Sequence, residues 1–210
     1  VGDTPGGGGP GMVLKVDVLA AAVDAARAAS PALPVLAPTP RGPRITQQRI
    51  RELAAGPGVT LLCGRFEGFD ERIFAARAVE PVALADIILS GGEMAALALI
   101  DACVRLLPGV MGAASSGDEE SFETGLLEYP HYTRPCIYKE KPVPEVLLSG
   151  NHAKIAHWRL QQSIGRTWLK RPDLLMEKYP GGLPGKEKEL LEEFKQLQRL
   201  TITDQTTADT

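Results

Sequence analysis

The middle of the chain carries an apolar run of strand length that leads through a glycine turn into an apolar segment of helix length. The run covers residues 82–89, the turn is Ser90-Gly91-Gly92-Glu93, and the second segment covers residues 94–107. Because glycine has no side chain, such a turn lets backbone N–H groups come close to a ligand. Asp101 and Arg105 stand one turn apart in the predicted helix. The sequence therefore predicts a strand, a binding loop and a helix that places charged groups behind the loop.

The first half of the chain repeats this alternation of short apolar strands and helices. Strands are predicted over residues 33–37 and 59–63, and helices over residues 18–29, 47–55 and 70–77. Apolar strands separated by helices indicate a parallel sheet that is covered on both faces. In such sheets ligands bind at the carboxyl ends of the strands. The candidate binding loops are therefore residues 38–43, 64–68 and 90–93.

Composition excludes several classes of protein. The net charge of −3 over 210 residues identifies no partner, and no apolar run reaches the roughly 18 to 20 residues of a membrane-spanning helix. The cysteines, Cys63, Cys103 and Cys136, lack C-x-x-C spacing and predict a reducing, cytoplasmic environment. The histidines show no metal-binding pattern, so no metal ligand is predicted.

The chain opens on a valine and a glycine-rich loop, residues 6–11, with no preceding element. A loop of this composition rarely begins a domain. We therefore expect the chain to start inside a longer protein. The loop could hold a phosphate, but it lacks the Lys-Ser/Thr pair and the preceding strand of a P-loop, so the motif is weak.

The second half of the chain predicts a linker, two helices and a tail. Small and acidic residues over 113–127 predict a flexible linker, helices are predicted over 151–169 and 186–200, and the polar residues 201–210 predict a disordered tail. Residues 151–172 carry basic and tryptophan side chains and no acid: Lys154, Trp158, Arg159, Arg166, Trp168, Lys170 and Arg171. Such a segment binds RNA through its phosphates and unpaired bases, or it is a solvated helix face whose tryptophans contact the core.

Two further sets of charged residues can each be interpreted either as solvent-exposed charges or as functional groups. Asp101 and Arg105 form either a helix-surface ion pair worth ~0.2 to 0.5 kcal/mol or, because the helix is apolar nearly all round, a buried guanidinium kept for a purpose. The acidic residues 118–120 are either solvated linker or a carboxylate delivered into a cleft.

Six motifs occur in a fixed order along the chain. They are GGGPGM at residues 7–12, CGRFEGFDER at 63–72, LSGGE at 89–93 with Asp86 before it, ESF at 120–122, PHYTRP at 130–135 and LSGNH at 148–152. With these motifs the chain closely resembles the bacterial TrmD family, the tRNA (guanine-37-N1)-methyltransferases of the SPOUT class. The resemblance runs from Asp3 to about Leu175.

The resemblance implies an α/β fold, a SPOUT-type parallel sheet with a deep trefoil knot, and a small, mainly α-helical C-terminal domain. Residues 1–112 would form the knotted cofactor domain, 113–127 the linker, 128–200 the helical tRNA-binding domain and 201–210 the tail. About 45 to 50 further residues are expected before this chain, with the first strand of the sheet among them, and its absence would leave a sheet edge exposed. The family also implies a cytoplasmic homodimer with a shared active site.

The same resemblance assigns roles to individual residues. The implied S-adenosylmethionine site comprises Pro38, Thr39, Pro40, Gly42, Gly64, Arg65, Phe66, Glu67, Gly68, Leu84, Ala85, Asp86, Ile87, Leu89, Gly91 and Gly92. Glu120 is implied as the general base that removes the proton from guanine N1, and Arg105 as the group that stabilises the charge on the guanine oxygen. The implied contacts to the tRNA anticodon stem-loop are Lys154, Trp158, Arg159, Arg166, Lys170 and Arg171. Magnesium is a further implied cofactor without a dedicated ligand set.

Four residues depart from the family pattern. Glu120 stands where aspartate is usual, Ala85 where glycine is usual, Ile87 where tyrosine is common and Gly6 where an aromatic residue is usual. The longer carboxylate of Glu120 changes the geometry of proton transfer. Two other functions therefore stay open, a non-catalytic RNA-binding relative and a SPOUT methyltransferase that acts on another RNA position.

Overall fold

The computed structural model describes residues 1–111 and 120–208, in two compact units, Val1–Ala114 and Ser115–Thr210. In the first unit the strands are β1 (Gly2–Asp3), β2 (Val13–Leu14), β3 (Val35–Pro38), β4 (Thr60–Leu61) and β5 (Glu80–Val82). The helices are α1 (Val16–Ala29), α2 (Gln47–Ala55), α3 (Arg72–Ala76) and α4 (Glu93–Val104).

A three-stranded parallel sheet forms the centre of the first unit, as predicted. Its strand order is β4-β3-β5, with Val35 opposite Thr60 and Leu36 opposite Glu80. Strands β1 and β2 form a separate antiparallel pair. All three parallel strands point the same way, so the loops that follow them meet at one edge of the sheet.

Helices cover both faces of this sheet. Side chains alternate along a strand, and Val35 and Ala37 accordingly join one hydrophobic cluster with residues of α1 and α3. Leu36 points the other way and joins a second cluster with Ile50 and Leu53 of α2 and Leu99 of α4. The predicted arrangement of a sheet between two helical layers is therefore confirmed.

The strand predicted over residues 82–89 is much shorter in the structure. Strand β5 ends at Val82, and the next backbone N–H, that of Ala83, donates to the carbonyl of Pro43 at 2.8 Å. Residues 84–89 then leave the sheet with apolar side chains exposed, Ile87 and Ile88 among them. An apolar run shows that side chains avoid water, but it does not show whether they line a core or a pocket.

Helix α4 is buried on one side only. Ala95, Ala96 and Leu99 are buried, whereas Met94 is 64% exposed and Leu97 57% exposed. The expectation that this apolar helix is buried nearly all round is therefore wrong within the described chain. No helix among the described residues is long and apolar enough to cross a membrane.

The second unit is built on a long helix. Its elements are a short hairpin of β6 (Ile137–Tyr138) and β7 (Lys141–Pro142), followed by helices α5 (Glu145–Leu148), α6 (His152–Lys170), α7 (Pro172–Lys178) and α8 (Gly185–Ala208). Asn151 caps α6, since its side-chain oxygen accepts the N–H of Lys154 at 3.1 Å. The core includes Ile164 of α6, Leu175 of α7 and Leu190 of α8.

Two parts of this unit differ from the sequence expectations. Of the linker predicted over 113–127, residues 113–119 lie outside the described part, whereas the later residues form a turn against α6. In that turn the N–H of Leu127 donates to Thr167 Oγ1 at 2.9 Å, and the N–H of Glu128 donates to Ser121 Oγ at 3.0 Å. Helix α8 continues to Ala208, through most of the segment predicted as a disordered tail.

Candidate functional site

A pocket of about 310 Å³ lies at the edge of the sheet where the parallel strands end. Its walls come from the loops after β3, β4 and β5, as expected for a ligand site in a parallel sheet. The lining residues are Pro38, Thr39, Pro40, Arg41, Gly64, Arg65, Phe66, Glu67, Gly68, Phe69, Leu84, Ala85, Ile87, Ile88, Leu89, Ser90, Gly91, Gly92 and Ala95.

The backbone segments at this edge cross so closely that Gly42 has no room for a Cβ and Gly92 has little. A Cβ on Gly42 would lie 2.5 Å from the backbone carbon of Pro81 and 2.5 Å from the nitrogen of Val82. A Cβ on Gly92 would lie 3.1 Å from Cys63 Cα, and the Gly92 N–H donates to the Gly64 carbonyl at 2.9 Å. These contacts fix the first loop on strand β5 and the third loop on the second.

An ion pair joins the second and third loops at the pocket. Arg65 Nε donates to Glu93 Oε1 at 2.9 Å, and both side chains are about half exposed. The pKa of the Glu93 carboxyl is lowered, first by its own backbone N–H and then by Arg65. We name this pair, Arg65 and Glu93, the loop clasp.

Arg41 makes a comparable connection between the first and second loops. Its Nη2 donates to the carbonyl of Phe69 at 3.1 Å, and its Nη1 lies 3.1 Å from Glu71 Oε2. The sequence placed Arg41 and Glu93 in the candidate loops but gave neither an individual role, because both connections join segments that are far apart in the chain. The pocket wall also includes Phe69, Ile88, Ser90 and Ala95, which were not among the predicted cofactor residues.

The pocket combines apolar walls with exposed backbone. Leu84, Ile87 and Leu89 present partly exposed apolar side chains, and Phe66 stands 60% exposed with a positive φ of 60°. Glycines elsewhere in the lining allow the backbone to approach a ligand. These features fit S-adenosylmethionine, because its adenosine part needs apolar walls and its polar edges need backbone donors and acceptors.

The predicted cofactor residues line the pocket with two exceptions, Gly42 and Asp86. Gly42 lies beneath the pocket against the backbone of β5, and Asp86 pairs with Arg44 at 3.7 Å. Cys63 lies beside Gly92, and burial together with Glu93 raises the pKa of its thiol. Its thiol is therefore neutral at physiological pH and is a poor nucleophile.

Comparison with known proteins matches the chain to one family over most of its length. The family described as tRNA (Guanine-1)-methyltransferase TrmD matches residues 1–177. A tRNA (guanine-N(1)-)-methyltransferase of Sphingopyxis alaskensis is 72% identical over 174 residues, which cover 83% of this chain and 71% of that protein. Like-named proteins are 70% identical in Novosphingobium aromaticivorans, over the same shares, and 53% identical in Nitrosomonas europaea, over 98% of this chain and 78% of that protein.

The chain belongs to the TrmD family. The resemblance inferred from the six motifs is therefore confirmed. The family match includes all three pocket loops and helix α6, and it ends within α7.

The two residues predicted to carry the chemistry of a TrmD enzyme lie in different units. Arg105 is the residue at which α4 ends, is half-buried, and donates its backbone N–H to the Asp101 carbonyl at 3.1 Å, while Asp101 is exposed. Glu120 begins the turn that leads to α6, is half-buried, and its carbonyl accepts the N–H of Glu123 at 3.2 Å. The neighbouring acids of the predicted cluster, Asp118 and Glu119, lie outside the described residues.

The predicted RNA contacts divide between two faces of α6. Lys154 and Trp158 are one turn apart on one face, whereas Arg159, Arg166 and Lys170 recur on another at helical spacing. Arg159 lies over the ring of Tyr129, with 4.7 Å between the guanidinium carbon and the ring centroid. Arg171 caps the helix end and donates to both carboxylate oxygens of Asp173, at 3.0 and 2.7 Å. The basic segment is therefore not a single patch.

A magnesium site finds no support in the side chains. Within residues 1–111 and 120–208, no group of three or more His, Cys, Asp or Glu side chains is arranged to hold a metal ion.

Proposed function

We propose that this chain transfers a methyl group from S-adenosylmethionine to N1 of guanine 37 in tRNA. Two findings support the proposal: membership of the TrmD family and the pocket at the carboxyl ends of three parallel strands. The pocket carries the proposal, because its apolar walls and glycine-lined edges suit the cofactor. A tRNA substrate and a cytoplasmic place of action are parts of the same proposal.

The three loops would hold the cofactor between them. Leu84, Ile87 and Leu89 supply an apolar wall, and the glycines of the second and third loops leave room for backbone hydrogen bonds to the ligand. When bound, S-adenosylmethionine supplies an electrophilic methyl group. The close approach of Gly42 and Gly92 to neighbouring backbone supports the trefoil knot that the family resemblance implies.

The acceptor atom needs a base. N1 of guanine carries a proton, and the nitrogen becomes an effective nucleophile only as that proton leaves. Glu120 would take the proton, and the electron pair that held it would form the new bond from N1 to the methyl carbon, while the bond from that carbon to the cofactor sulfur would break and leave its electron pair on the sulfur. Negative charge that develops on the guanine oxygen would be stabilised by the guanidinium of Arg105, with Asp101 orienting that guanidinium.

A second copy of this chain is the proposed occupant of the exposed side of α4. Four side chains of this helix, Met94, Leu97, Ile100 and Val104, are each more than 40% exposed. They recur three or four residues apart and so share a face. An apolar stripe of this kind on an otherwise well-packed unit is typical of a homodimer interface, and we propose that the dimer shares its active sites.

Calorimetric titration with S-adenosylmethionine tests the binding half of the proposal. We expect one site per chain, and Gly92→Val should abolish binding, because its side chain would clash with Cys63 and Gly64. Gly181→Ala is the matched control, since nothing lies within 4 Å of its Cβ position. Absence of binding by the wild-type chain would favour the alternative of a non-catalytic RNA-binding relative.

The Glu120→Gln variant tests the chemical half. The amide that replaces the carboxylate cannot accept a proton, so we expect methyl transfer to fall by about 10² to 10⁴-fold, the usual contribution of a general base. Cofactor affinity should stay unchanged. Full activity of this variant would exclude Glu120 as the base.

A further inference from the structure

The second unit holds an open cleft that the proposed reaction does not use. The cleft lies between α5 and α6 and has a volume of about 480 Å³. It is lined by Val146, Ala153, Lys154, His157, Trp158 and Gln161. Its size is within the range of pockets that bind small organic groups, roughly 300 to 1,000 Å³.

One wall of the cleft is aromatic and held in place. Trp158 is half-buried, and the ring of Tyr132 lies 6.3 Å from the indole ring, at an angle of 56°. Val146 and Ala153 add apolar surface beside it. Because the indole is already restrained, a flat ligand that stacks on it costs little additional side-chain entropy.

The cleft also contains polar groups with fixed directions. Gln161 is only 5% exposed, and its Nε2 donates to Glu193 Oε2 at 2.8 Å. His157 Nε2 lies 3.1 Å from the same carboxylate oxygen. Glu193 of α8 thus orients two polar side chains that line the cleft. A flat apolar wall beside oriented polar groups suits a nucleobase, which has an apolar face and a hydrogen-bonding edge.

Positive charge at one end of the cleft favours the binding of a phosphate group. Lys154 is exposed and lies in the first turn of α6, where the helix dipole is also positive. Helix α6 itself contains no acidic residue. Of the acids on the adjoining helices, Glu145 belongs to the first turn of α5, and Glu193 of α8 is held by His157 and Gln161. Helix α8 also carries Glu187, Glu189 and Glu192, and these three do not line the cleft.

We propose that this cleft binds one unpaired base of tRNA, stacked on Trp158, with the adjoining phosphate at Lys154. The base must be unpaired, because a base inside a duplex has no free face for stacking. This inference rests on the proposed function, since it takes tRNA as the ligand. It deepens that function, because it assigns two of the RNA contacts implied by the family resemblance, Lys154 and Trp158, to a cleft that holds a single unpaired base.

Tryptophan fluorescence tests the proposal directly, because the chain has two tryptophans. In Trp168→Phe the emission comes from Trp158 alone, and in Trp158→Phe from Trp168 alone. We expect an unmodified tRNA transcript to quench the first protein strongly and the second much less, and fully double-stranded RNA to leave Trp158 emission unchanged. Trp158 emission that is insensitive to saturating tRNA, or equally sensitive to duplex RNA, would overturn the proposal.

Methyl-transfer kinetics provide a second readout in the full chain. Trp158→Leu should raise the KM for tRNA about tenfold, within the range of one base–aromatic stack, with kcat and cofactor affinity unchanged, and Trp158→Phe should restore most of the loss. Lys154→Glu should also raise this KM, whereas Lys188→Glu, an exposed lysine that does not line the cleft, should not. A wild-type KM in folded Trp158→Leu overturns the proposal.

These outcomes separate the inference from the proposed function. If Trp158→Leu does not fold, the fluorescence titration and the exposed Lys154→Glu variant decide the matter. If the wild-type chain binds tRNA but transfers no methyl group, the proposed function fails, while quenching of Trp158 still supports the cleft. Quenching that follows chain concentration in the absence of RNA would identify a second copy as the occupant and overturn the base-binding proposal.

Discussion

Gly42 lies where the first pocket loop crosses β5, and its hydrogen atom faces backbone. An added Cβ would stand 2.5 Å from atoms of Pro81 and Val82, which cannot move without distorting the sheet. Gly42→Ala should therefore lower the free energy of unfolding by about 1 to 3 kcal/mol, as overpacking usually does. Urea denaturation measures the change, with Gly6→Ala as the control because nothing lies within 4 Å of its Cβ position. Equal stability of the two variants would contradict the close crossing.

Asp70, which follows the second loop, makes the free energy of unfolding depend on pH. Its carboxylate accepts two hydrogen bonds from the Arg72 side chain and one from the Arg72 N–H, which together lower its pKa to about 2. The unfolded value is about 3.9. Because the folded pKa is the lower one, the ionised form stabilises the fold above about pH 4, and this stabilisation is lost as the pH falls towards about 2.

The corresponding variant is Asp70→Asn. It should be less stable than wild type at neutral pH, and the difference in unfolding free energy should shrink as the pH falls from about 4 to about 2. Denaturation curves of both proteins across this range check the prediction. A difference that stays constant with pH would mean that the charge of Asp70 does not contribute.

The loop clasp connects the second and third pocket loops. Arg65 and Glu93 are each about half exposed, so solvent screens their attraction and the pair contributes little to stability. Glu93→Gln should accordingly weaken S-adenosylmethionine binding by no more than about fivefold. The exchanged pair Arg65→Glu with Glu93→Arg should recover part of the loss in calorimetry. If the exchanged pair binds more weakly than both single variants, the clasp acts through something other than its charge pairing.

Secondary-structure elements whose ends are marked by capping or helix-terminating residues were predictable from the sequence. Helix α2 begins and ends where expected, because Thr46 accepts the N–H of Arg49 at its start and Gly56 follows its last residue. The strand predicted over 82–89 was too long, because Leu84, Ile87, Ile88 and Leu89 line the pocket and not the core. Local patterns identify caps and stops, but they do not identify what an apolar side chain will contact.

The site was predictable where the motifs marked it and not where distant segments meet. Most of the cofactor residues that the family resemblance implied line one pocket. The contacts of Arg41 with Phe69 and of Arg65 with Glu93 join residues 28 positions apart in the chain. Such pairs depend on how the loops cross, and no feature of a single sequence reports that crossing.

Helix α8 packs into the core of the second unit, although the family match ends before this helix. The match stops at residue 177, yet Phe194 of α8 is buried against Gly165 of α6, where a Cβ would overlap the Phe194 ring. Leu190 and Leu191 join the same core as Ile164. Truncation after α7 would therefore remove part of this core.

Dimerisation is the main prediction about the assembly. Leu97 is 57% exposed at the centre of the apolar face of α4, so Leu97→Glu would place a charge in the proposed interface. We expect sedimentation analysis to find a dimer for wild type and a monomer for this variant. Val18→Glu, at another exposed apolar position on α1, should stay dimeric. A monomeric wild-type chain would contradict the proposed interface.

Identification of the methylated nucleoside tests directly whether the chain methylates N1 of guanine 37. The chain is incubated with S-adenosylmethionine and unmodified tRNA transcripts that carry guanine or adenine at position 37, and the digested RNA is analysed by mass spectrometry. We expect 1-methylguanosine at position 37 of the first transcript and no methylated nucleoside in the second. Methylation of another atom or position, or none despite cofactor binding, would contradict it.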